Sequence, residues 1–574
     1  MQQVAHEETA AGQVPSTLAR AQELLQLGRF EESRNQPAAA EQAYRQALEL
    51  HASSLEAWLC LGLMLERLGR TAEAEECQIQ ALRLEPERLL GVLRGAALQN
   101  PRSAQAHHNL GIALLQLHRR EAPIHFIAAL KIDPDFFEAA EALGRSLLEA
   151  GLFNDAIEAF REARRIRPRS VDIRLRLANA CMIARQLHAA RAEYEELLRE
   201  QPGLAAAQAG LATVYVELGQ FTKPRALLER ALSERPDDHW ARIQYAWLLL
   251  RHGDFGSGWD FYESRWAALP TKAAFERGFT QPRWQGESLA GRTLLVTREQ
   301  AFGDEILFAS VIPDVLREAA HCVIECDRRL EGLYRRSFPT ATVLAVDSKS
   351  SDWDRVLPDR LPQLPSIDCW SPIGSLPRFR RRGPADFPRH DGYLRADEAH
   401  AEHWRERLRE IGDGLKVGIS WRGGTAVSRA ALRSVTLEQL APVLGLRGTR
   451  FVSLQYGDQA EELRSFAAAH GTAIQHWPEA LADYDETAAL VAGLDLVISV
   501  CTAVVNLAGA LHRPTWVMAP LVPDARYGWQ GETMIWYPSV RVFRQEKLDT
   551  WAPVITRVRR NLQELLRAET GHDF

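Results

Sequence analysis

Long apolar segments are missing from this 574-residue chain, and cysteines are few. No stretch reaches the roughly 18 apolar residues that a helix needs to cross a bilayer. The polar start, MQQVAHEETAAGQVP, lacks the apolar core of a secretory signal. The seven cysteines are scattered and do not suggest a disulfide framework. These absences predict a cytoplasmic protein with reduced thiols and no membrane span.

Neither sign of charge is in large excess. The chain has 69 basic and 75 acidic residues, a formal net charge of −6, which argues against a nucleic-acid-binding protein. Cys322 and Cys326 lie on one face of a predicted strand, but a metal site would need two further ligands, and the sequence offers none nearby. We therefore expect buried thiols, no metal and no cofactor.

What the chain does contain is a repeat of 33 or 34 residues, marked by regularly spaced prolines. Each proline ends the second helix of a unit, and small residues such as Gly144 and Ala156 are expected where two helices approach closely. An earlier unit contains Gly62, and the stretch 88–100 is long enough for only one extra helix. The pattern predicts tetratricopeptide helix pairs over residues 1–266. The prolines are Pro101, Pro134, Pro168, Pro202 and Pro236.

From about residue 291 the pattern changes to alternating strands and helices. Short apolar runs such as RTLLVT (292–297) predict buried strands of a parallel sheet. After a proline-rich stretch, 351–395, the alternation restarts at LKVGISW (415–421). We predict two Rossmann-like lobes, 267–395 and 396–574, with a ligand cleft at the carboxyl ends of their strands.

The first candidate site is EQAFGD, residues 299–304, where a strand turns into a helix. Gly303 lets the backbone approach a ligand, and Gln300 lies in the same turn. Asp304 has two interpretations. As a helix cap it would stabilise the helix by ~0.5–2 kcal/mol; as a general base it would remove a proton from an acceptor hydroxyl. The residues alone leave both open.

A second strand-to-helix turn lies at SVCTAVVN, residues 499–506. The free N–H groups and partial positive charge of such a helix start suit a diphosphate. Thr502 either caps this helix or donates its hydroxyl to a phosphate oxygen, and Ala503 and Asn506 follow it. Cys501 is not expected to be a nucleophile, because no histidine lies near it in sequence.

Two further segments follow predicted strands of the second lobe. After Trp421, glycines beginning at Gly423 let the backbone approach a ligand. Arg422 and the more distant Arg433 either neutralise phosphate or belong to a flexible, solvated loop. Gln455 ends the strand RFVSLQ, where backbone groups could hold a nucleotide base.

These motifs carry a family resemblance. The first part of the chain resembles tetratricopeptide proteins, and residues from about 259 onward resemble bacterial glycosyltransferases related to the heptosyltransferase family. The matching segments are PRWQG, EQAFGDEILFA, VGISWRGG, SLQ, DETAALVAGLDLVISV and TAVVNLAGAL. The resemblance implies a GT-B-type fold of two lobes, a nucleotide-sugar donor and no obligatory metal.

The resemblance also implies roles for particular residues. It places Asp304 at the position of the family's base, and Thr502 and Ala503 at its diphosphate-binding helix start. Three positions depart from the family, which commonly has Gly where Ala301 stands, Asp where Cys501 stands and His where Asn506 stands. A heptose donor is therefore not assumed.

We predict a glycosyltransferase that moves a sugar from a nucleotide sugar to a Ser or Thr hydroxyl of a polypeptide held on the concave face of the repeats. The resemblance makes flagellin a reasonable acceptor. One alternative is a lipopolysaccharide-type transferase, which would contact a membrane through the basic run 378–382; that run is otherwise a solvated loop. Another is a non-catalytic scaffold with a degenerate transferase region.

Overall fold

The computed structural model describes residues 17–268, 279–346, 366–424 and 430–570. The chain divides into two compact units between Glu200 and Gln201. The described part of the first unit is all helical. The helix Pro86–Gln99 is the single extra helix that the sequence predicts for residues 88–100. The helices of the first unit are α1 (Thr17–Ser33), α2 (Pro37–Leu50), α3 (Leu55–Arg67), α4 (Thr71–Leu84), α5 (Pro86–Gln99), α6 (Ala104–Gln116), α7 (Ala122–Ile132), α8 (Phe137–Glu149), α9 (Phe153–Ile166), α10 (Val171–Ile183) and α11 (Leu187–Glu200).

Three of these helix pairs pack through the same kind of contact between a glycine and an aromatic ring, the first of them between Gly28 and Tyr44. A Cβ atom on Gly111 would lie 2.6 Å from the ring of Phe126, and one on Gly144 would lie 2.5 Å from the ring of Phe160. Only glycine lets the two helices approach this closely, and the ring then fills the space between them. Four of the five regularly spaced prolines lie in turns after the second helix of a pair, as predicted, whereas Pro101 follows the single extra helix α5.

The second unit begins with helices that continue the repeat. Two of them, His239–His252 and Phe255–Tyr262, differ from the first unit's helices because they share a hydrophobic core with the sheets that follow: Leu250 belongs to the same buried cluster as Val296 and Val542. The helices end close to the predicted boundary at 266, whereas the compact units divide earlier, at 200. These helices are α12 (Ala205–Glu217), α13 (Pro224–Glu234), α14 (His239–His252), α15 (Phe255–Tyr262) and α16 (Arg265–Ala268).

The first sheet has four parallel strands in the order β3-β2-β1-β4. Its strands are short and buried, as expected when helices cover both faces of a parallel sheet. Strand β4 was not predicted because it is only four residues long and lies within the proline-rich stretch 351–395. The elements are β1 (Thr293–Thr297), α17 (Phe302–Phe308), α18 (Ile312–Glu318), β2 (His321–Asp327), α19 (Glu331–Ser337), β3 (Thr342–Val346), β4 (Cys369–Pro372) and α20 (Pro377–Arg380).

The second sheet has six strands in the order β6-β5-β7-β8-β10-β9, parallel except for the β9–β10 hairpin. A helix precedes it and another closes the chain. The elements are α21 (Glu398–Glu410), β5 (Leu415–Ser420), α22 (Leu437–Leu444), β6 (Thr449–Ser453), α23 (Ala460–His470), α24 (Pro478–Ala482), α25 (Tyr484–Gly493), β7 (Leu496–Val500), α26 (Ala503–Ala510), β8 (Thr515–Ala519), β9 (Thr533–Met534), β10 (Tyr537–Arg544) and α27 (Ala552–Thr570).

The predicted fold class is confirmed: an all-α tetratricopeptide array is followed by an α/β region that contains two parallel sheets. Among the helices that the structure describes, none is long and apolar enough to span a bilayer. Cys322 and Cys326 are fully buried in β2, and burial raises the pKa of the Cys322 thiol to about 12.

Candidate functional site

The second sheet has a topological switch point between its neighbouring strands β5 and β7. The chain leaves β5 toward β6 on one side, whereas β7 lies on the other side. Ligands of open α/β sheets bind in the crevice that such a reversal leaves at the carboxyl ends of the strands. Gly423 follows β5 and Thr502 follows β7, and a Cβ atom on Gly423 would lie 2.8 Å from Cγ2 of Thr502. The fold thus brings two predicted donor-binding segments together.

Thr502 occupies the N-cap position of α26 without capping it through its side chain. Its hydroxyl lies 3.0 Å from that of Ser499 and makes no hydrogen bond to the helix N–H groups. Cys501 is buried beside it, and burial raises the pKa of this thiol to about 12 although Arg433 opposes the shift. A thiol that stays protonated is a poor nucleophile, in agreement with the sequence interpretation.

The other residues of this predicted donor site are held more tightly than the sequence suggested. The ring of Trp421 is fully buried and belongs to the core of the second sheet. Gln455 accepts hydrogen bonds from the backbone N–H groups of Trp421 (3.1 Å) and Arg422 (2.8 Å). Arg422 forms an ion pair of 2.8 Å with Glu462. Gln455 therefore holds the turn after β5 in place.

The first candidate site lies at the carboxyl end of β1. Helix α17 begins at Phe302 with Ala301 at its N-cap, so the interpretation of Asp304 as the helix cap is wrong. Asp304 lies within the first turn instead. Gln300 has a positive φ of 62° and donates a hydrogen bond of 2.8 Å to the hydroxyl of Tyr262, which belongs to α15. The turn is thereby anchored to the repeat helices.

Arg526 is a site residue that sequence reasoning missed. It forms an ion pair with Asp304 and a second one, of 2.9 Å, with Asp524. Burial opposes the charge of Asp524, but the guanidinium beside it lowers the pKa of that carboxyl to about 2. Arg526 lies 222 positions after Asp304, in the loop between β8 and β9, and no local pattern singles it out.

The two predicted sites meet at the starts of α17 and α26. The side-chain Nδ2 of Asn506 donates a hydrogen bond of 2.7 Å to the carbonyl oxygen of Gly303. A Cβ atom on Gly303 would lie 3.4 Å from Cα of Ala503, so a larger residue would push the helix starts apart. The sequence-predicted base and diphosphate segments are therefore adjacent, joined across the two sheets.

Buried ion pairs stabilise the turn at residues 299–304. Arg298 contacts Glu305 and Asp327, each at 3.2 Å, and Arg265 of α16 contacts Glu299 at 2.9 Å. Burial raises the pKa of the Glu305 carboxyl to about 7. Removing one partner would leave an uncompensated buried charge, which costs about 3–5 kcal/mol. These pairs hold the segment that carries Asp304.

The basic run at 378–382 is not a solvated loop. Arg378 and Arg382 both pair with Asp260 of α15, at 2.8 and 3.0 Å. Arg381 is 3% exposed and pairs with Asp314 at 2.6 Å, and the pair of Arg380 is with Glu318. Through these ion pairs the run joins α15 of the last repeat to α18 beside the first sheet. Elsewhere among the described residues, no group of three or more His, Cys, Asp or Glu forms a metal site.

Comparison with known proteins supports the tetratricopeptide repeats that the sequence predicts. Residues 21–64, 55–88 and 141–205 match the tetratricopeptide repeat family. Over 534 residues the chain is 30% identical to Protein FlbA of Caulobacter vibrioides, an alignment that covers 88% of this chain and 84% of that protein. The chain is a member of the FlbA family. Since the alignment extends well beyond the repeats, the family includes both the helical and the α/β parts.

Two solved structures show a weak likeness to this chain. A tetratricopeptide repeat protein from Parabacteroides merdae is 16% identical with a TM-score of 0.31, and covers 44% of this chain and 95% of its own. PilF from Pseudomonas aeruginosa is 19% identical with a TM-score of 0.25, and covers 40% of this chain and 99% of its own.

Proposed function

We propose that this FlbA-family protein is a glycosyltransferase that moves a sugar from a nucleotide sugar to a protein hydroxyl. The observation that carries the proposal is the meeting of two helix starts, one with the carboxylate of Asp304 and one with the small residues Thr502 and Ala503. Both follow parallel strands at their carboxyl ends, where α/β sheets bind ligands. Glycosyl transfer uses both a base for the acceptor hydroxyl and an anion-binding group for the leaving phosphate.

In the proposed step, the acceptor oxygen forms a bond to the anomeric carbon while the bond from that carbon to the phosphate oxygen breaks. The hydroxyl proton goes to Oδ2 of Asp304, because Oδ1 is the oxygen that pairs with Arg526. The electron pair leaves with the nucleotide, whose growing negative charge is stabilised by the N–H groups of α26. No metal ion enters this step.

The proposed acceptor is a polypeptide bound by the repeats. Tetratricopeptide repeats match at residues 21–88 and 141–205, and arrays of this kind present extended concave surfaces for binding. Flagellin is our specific candidate, on the strength of the family resemblance alone. A lipid-linked acceptor finds less support, because the basic run at 378–382 already pairs with carboxylates of the protein itself.

The test is Asp304→Asn, with Asp485→Asn as the matched control. Asp485 is similarly half-buried and also pairs with an arginine, Arg336, at 2.6 Å, but it lies in α25, which carries neither of the two proposed site segments. We expect Asp304→Asn to reduce transfer at least about 100-fold, the usual contribution of a general base, with nucleotide-sugar affinity kept. The measurement is intact-mass analysis of secreted proteins from strains that carry each variant.

Equal sugar increments in the wild type and Asp304→Asn would contradict the assignment of the base. A missing increment in all strains, wild type included, would instead contradict the proposed function. The control excludes a general effect of losing a buried ion pair.

One observation favours the scaffold alternative. The hydrogen bond from Asn506 to Gly303 closes the junction of the helix starts, at a position where related transferases commonly have His. A thermal-shift panel of nucleotide sugars separates the two functions. A ligand at 100 times its Kd stabilises the folded state by ~2.7 kcal/mol, so a panel without any shift in the melting temperature would support the scaffold.

A further inference from the structure

A cavity of about 160 Å³ lies directly in front of Asp304. We call it the junction cavity, because its wall combines the last repeat with both sheets. Trp247, Phe255 and Trp259 come from the repeat helices α14 and α15, and Trp536 comes from the β9–β10 turn. Asp304 and its partner Arg526 form the polar side. The repeat helices therefore line the same space as the proposed base.

The walls of the junction cavity are rigid. Trp259 donates a hydrogen bond of 3.0 Å to the carbonyl oxygen of Arg381 and packs edge-to-face on Tyr262 and Trp536, with ring centroids 5.4 and 6.1 Å apart. Trp247 is only partly buried against this core. It is thus the aromatic wall that can be changed with the least effect on folding.

The chemistry of the cavity selects its ligand. A purely apolar group would bury Asp304, Asp524 and Arg526 further while adding no hydrogen bond to those they make with one another, which is unfavourable in a partly buried site. A phosphate would meet two carboxylates and only one guanidinium. A neutral sugar ring fits both sides, since its C–H faces stack on aromatic rings, while its hydroxyls donate to carboxylates and accept from a guanidinium.

The size of the cavity limits the ligand further. A volume of 160 Å³ has room for roughly ten water-sized groups. This is the scale of one monosaccharide and is too small for a disaccharide. A ring placed there would lie beside Asp304, and hence beside the carboxylate that we assign to proton removal.

We propose that the junction cavity binds a monosaccharide ring beside Asp304, with Trp247 as part of its stacking wall. This inference rests on the proposed function and goes beyond it, because it makes the last repeat part of the chemical site. The sugar is supplied either by a nucleotide-sugar donor or by a glycan already on the acceptor, and the titrations below separate these sources.

The test compares Trp247→Leu with Trp240→Leu in the full chain. Trp240 lies on the same helix but is 45% exposed and does not line the cavity. The probes are UDP-glucose, UDP-N-acetylglucosamine and GDP-mannose, each titrated beside its free nucleoside diphosphate. For the sugar nucleotide that binds, we expect Trp247→Leu to raise Kd by about three- to tenfold, the scale of one aromatic contact. The Kd of the free nucleotide stays unchanged, and Trp240→Leu changes neither value.

Other outcomes separate the two proposals. If wild type binds a sugar nucleotide and Trp247→Leu changes both ligands equally or not at all, the sugar-binding cavity is wrong while the proposed function stands. If no sugar nucleotide binds, the proposed function fails, and titration of wild type with free glucose, N-acetylglucosamine and mannose tests the cavity separately. Binding of one of these that Trp247→Leu removes would then support an acceptor-glycan site, and no binding would overturn the inference.

Discussion

Two stretches of the same repeat behave differently in this protein. In residues 17–200, helix pairs pack through contacts such as Gly144 against Phe160 and form a unit without strands. In residues 201–268 the same period continues, but α14 and α15 carry Trp247 and Trp259, which pack against the α/β region. The period sets how two helices pair, whereas the residues on their outer faces decide whether the pair stays in an array or becomes part of another domain.

The largest effect is expected from cutting the chain on either side of the second stretch. A fragment of residues 201–574 keeps the shared core and should unfold cooperatively. A fragment of residues 269–574 loses Leu250, Phe255 and Trp259 from that core. It should not unfold cooperatively, because its sheets would expose the apolar surface that these residues cover. Circular dichroism melts and size-exclusion chromatography of both fragments test this. If the fragment 269–574 melted cooperatively at the same temperature as the fragment 201–574, residues 201–268 would not contribute to the core of the α/β region.

A smaller effect is expected from filling the space between two repeat helices. Gly144→Val places methyl groups inside the ring of Phe160, whose atoms lie 2.5 Å from the Cβ position, and should destabilise residues 17–200 by about 3 kcal/mol. The matched control is Gly95→Ala in α5, where nothing lies within 4 Å of the new Cβ, so helix propensity should stabilise by about 1 kcal/mol. Denaturant unfolding measures the change in the free energy of unfolding for each variant. Equal changes for Gly144→Val and Gly95→Ala would refute the glycine–aromatic contact as the basis of helix pairing.

The smallest effects compare one polar contact from each stretch. Arg251 is 8% exposed and donates a hydrogen bond of 2.9 Å to the carbonyl oxygen of Pro523. Arg251→Met should cost about 1–3 kcal/mol, because it leaves a buried acceptor without this donor. Arg165→Gln removes an exposed ion pair of 2.6 Å with Asp135 and should cost less than about 1 kcal/mol. Chemical denaturation of each variant gives the two values, and a larger loss for Arg165→Gln would reverse the comparison.

Much of the α/β region was predictable from local pattern. The apolar runs at β1, β2, β5 and β7 predicted strands within one or two residues, since a strand buried on both faces is apolar throughout. Strand β10 was not predicted, because Pro538 interrupts its apolar run and the strand is defined by pairing with β8. Pairing between distant segments leaves no local signal.

The candidate site also contains residues that a local pattern predicts and contacts that only the fold shows. Asp304 and Thr502 were found from strand–turn–helix patterns, and the fold places both at the carboxyl ends of parallel strands. Burial of Trp421 and pairing of Arg422 with Glu462 could not be foreseen, because a loop arginine has the same sequence signal whether it is solvated or paired. Their roles in donor binding stay predictions.

By itself, the sequence determined the helix pairs, the alternation of strands and helices and the position of the two turns, since each depends on residues within a few tens of positions. Only the tertiary structure decided that Arg526 would pair with Asp304, that the basic run would join α15, and that repeat tryptophans would line the space in front of the carboxylate. The two ion pairs join residues 222 and 118 positions apart, and Trp247 and Trp259 lie 57 and 45 positions before Asp304. Their proximity depends on how the whole core packs.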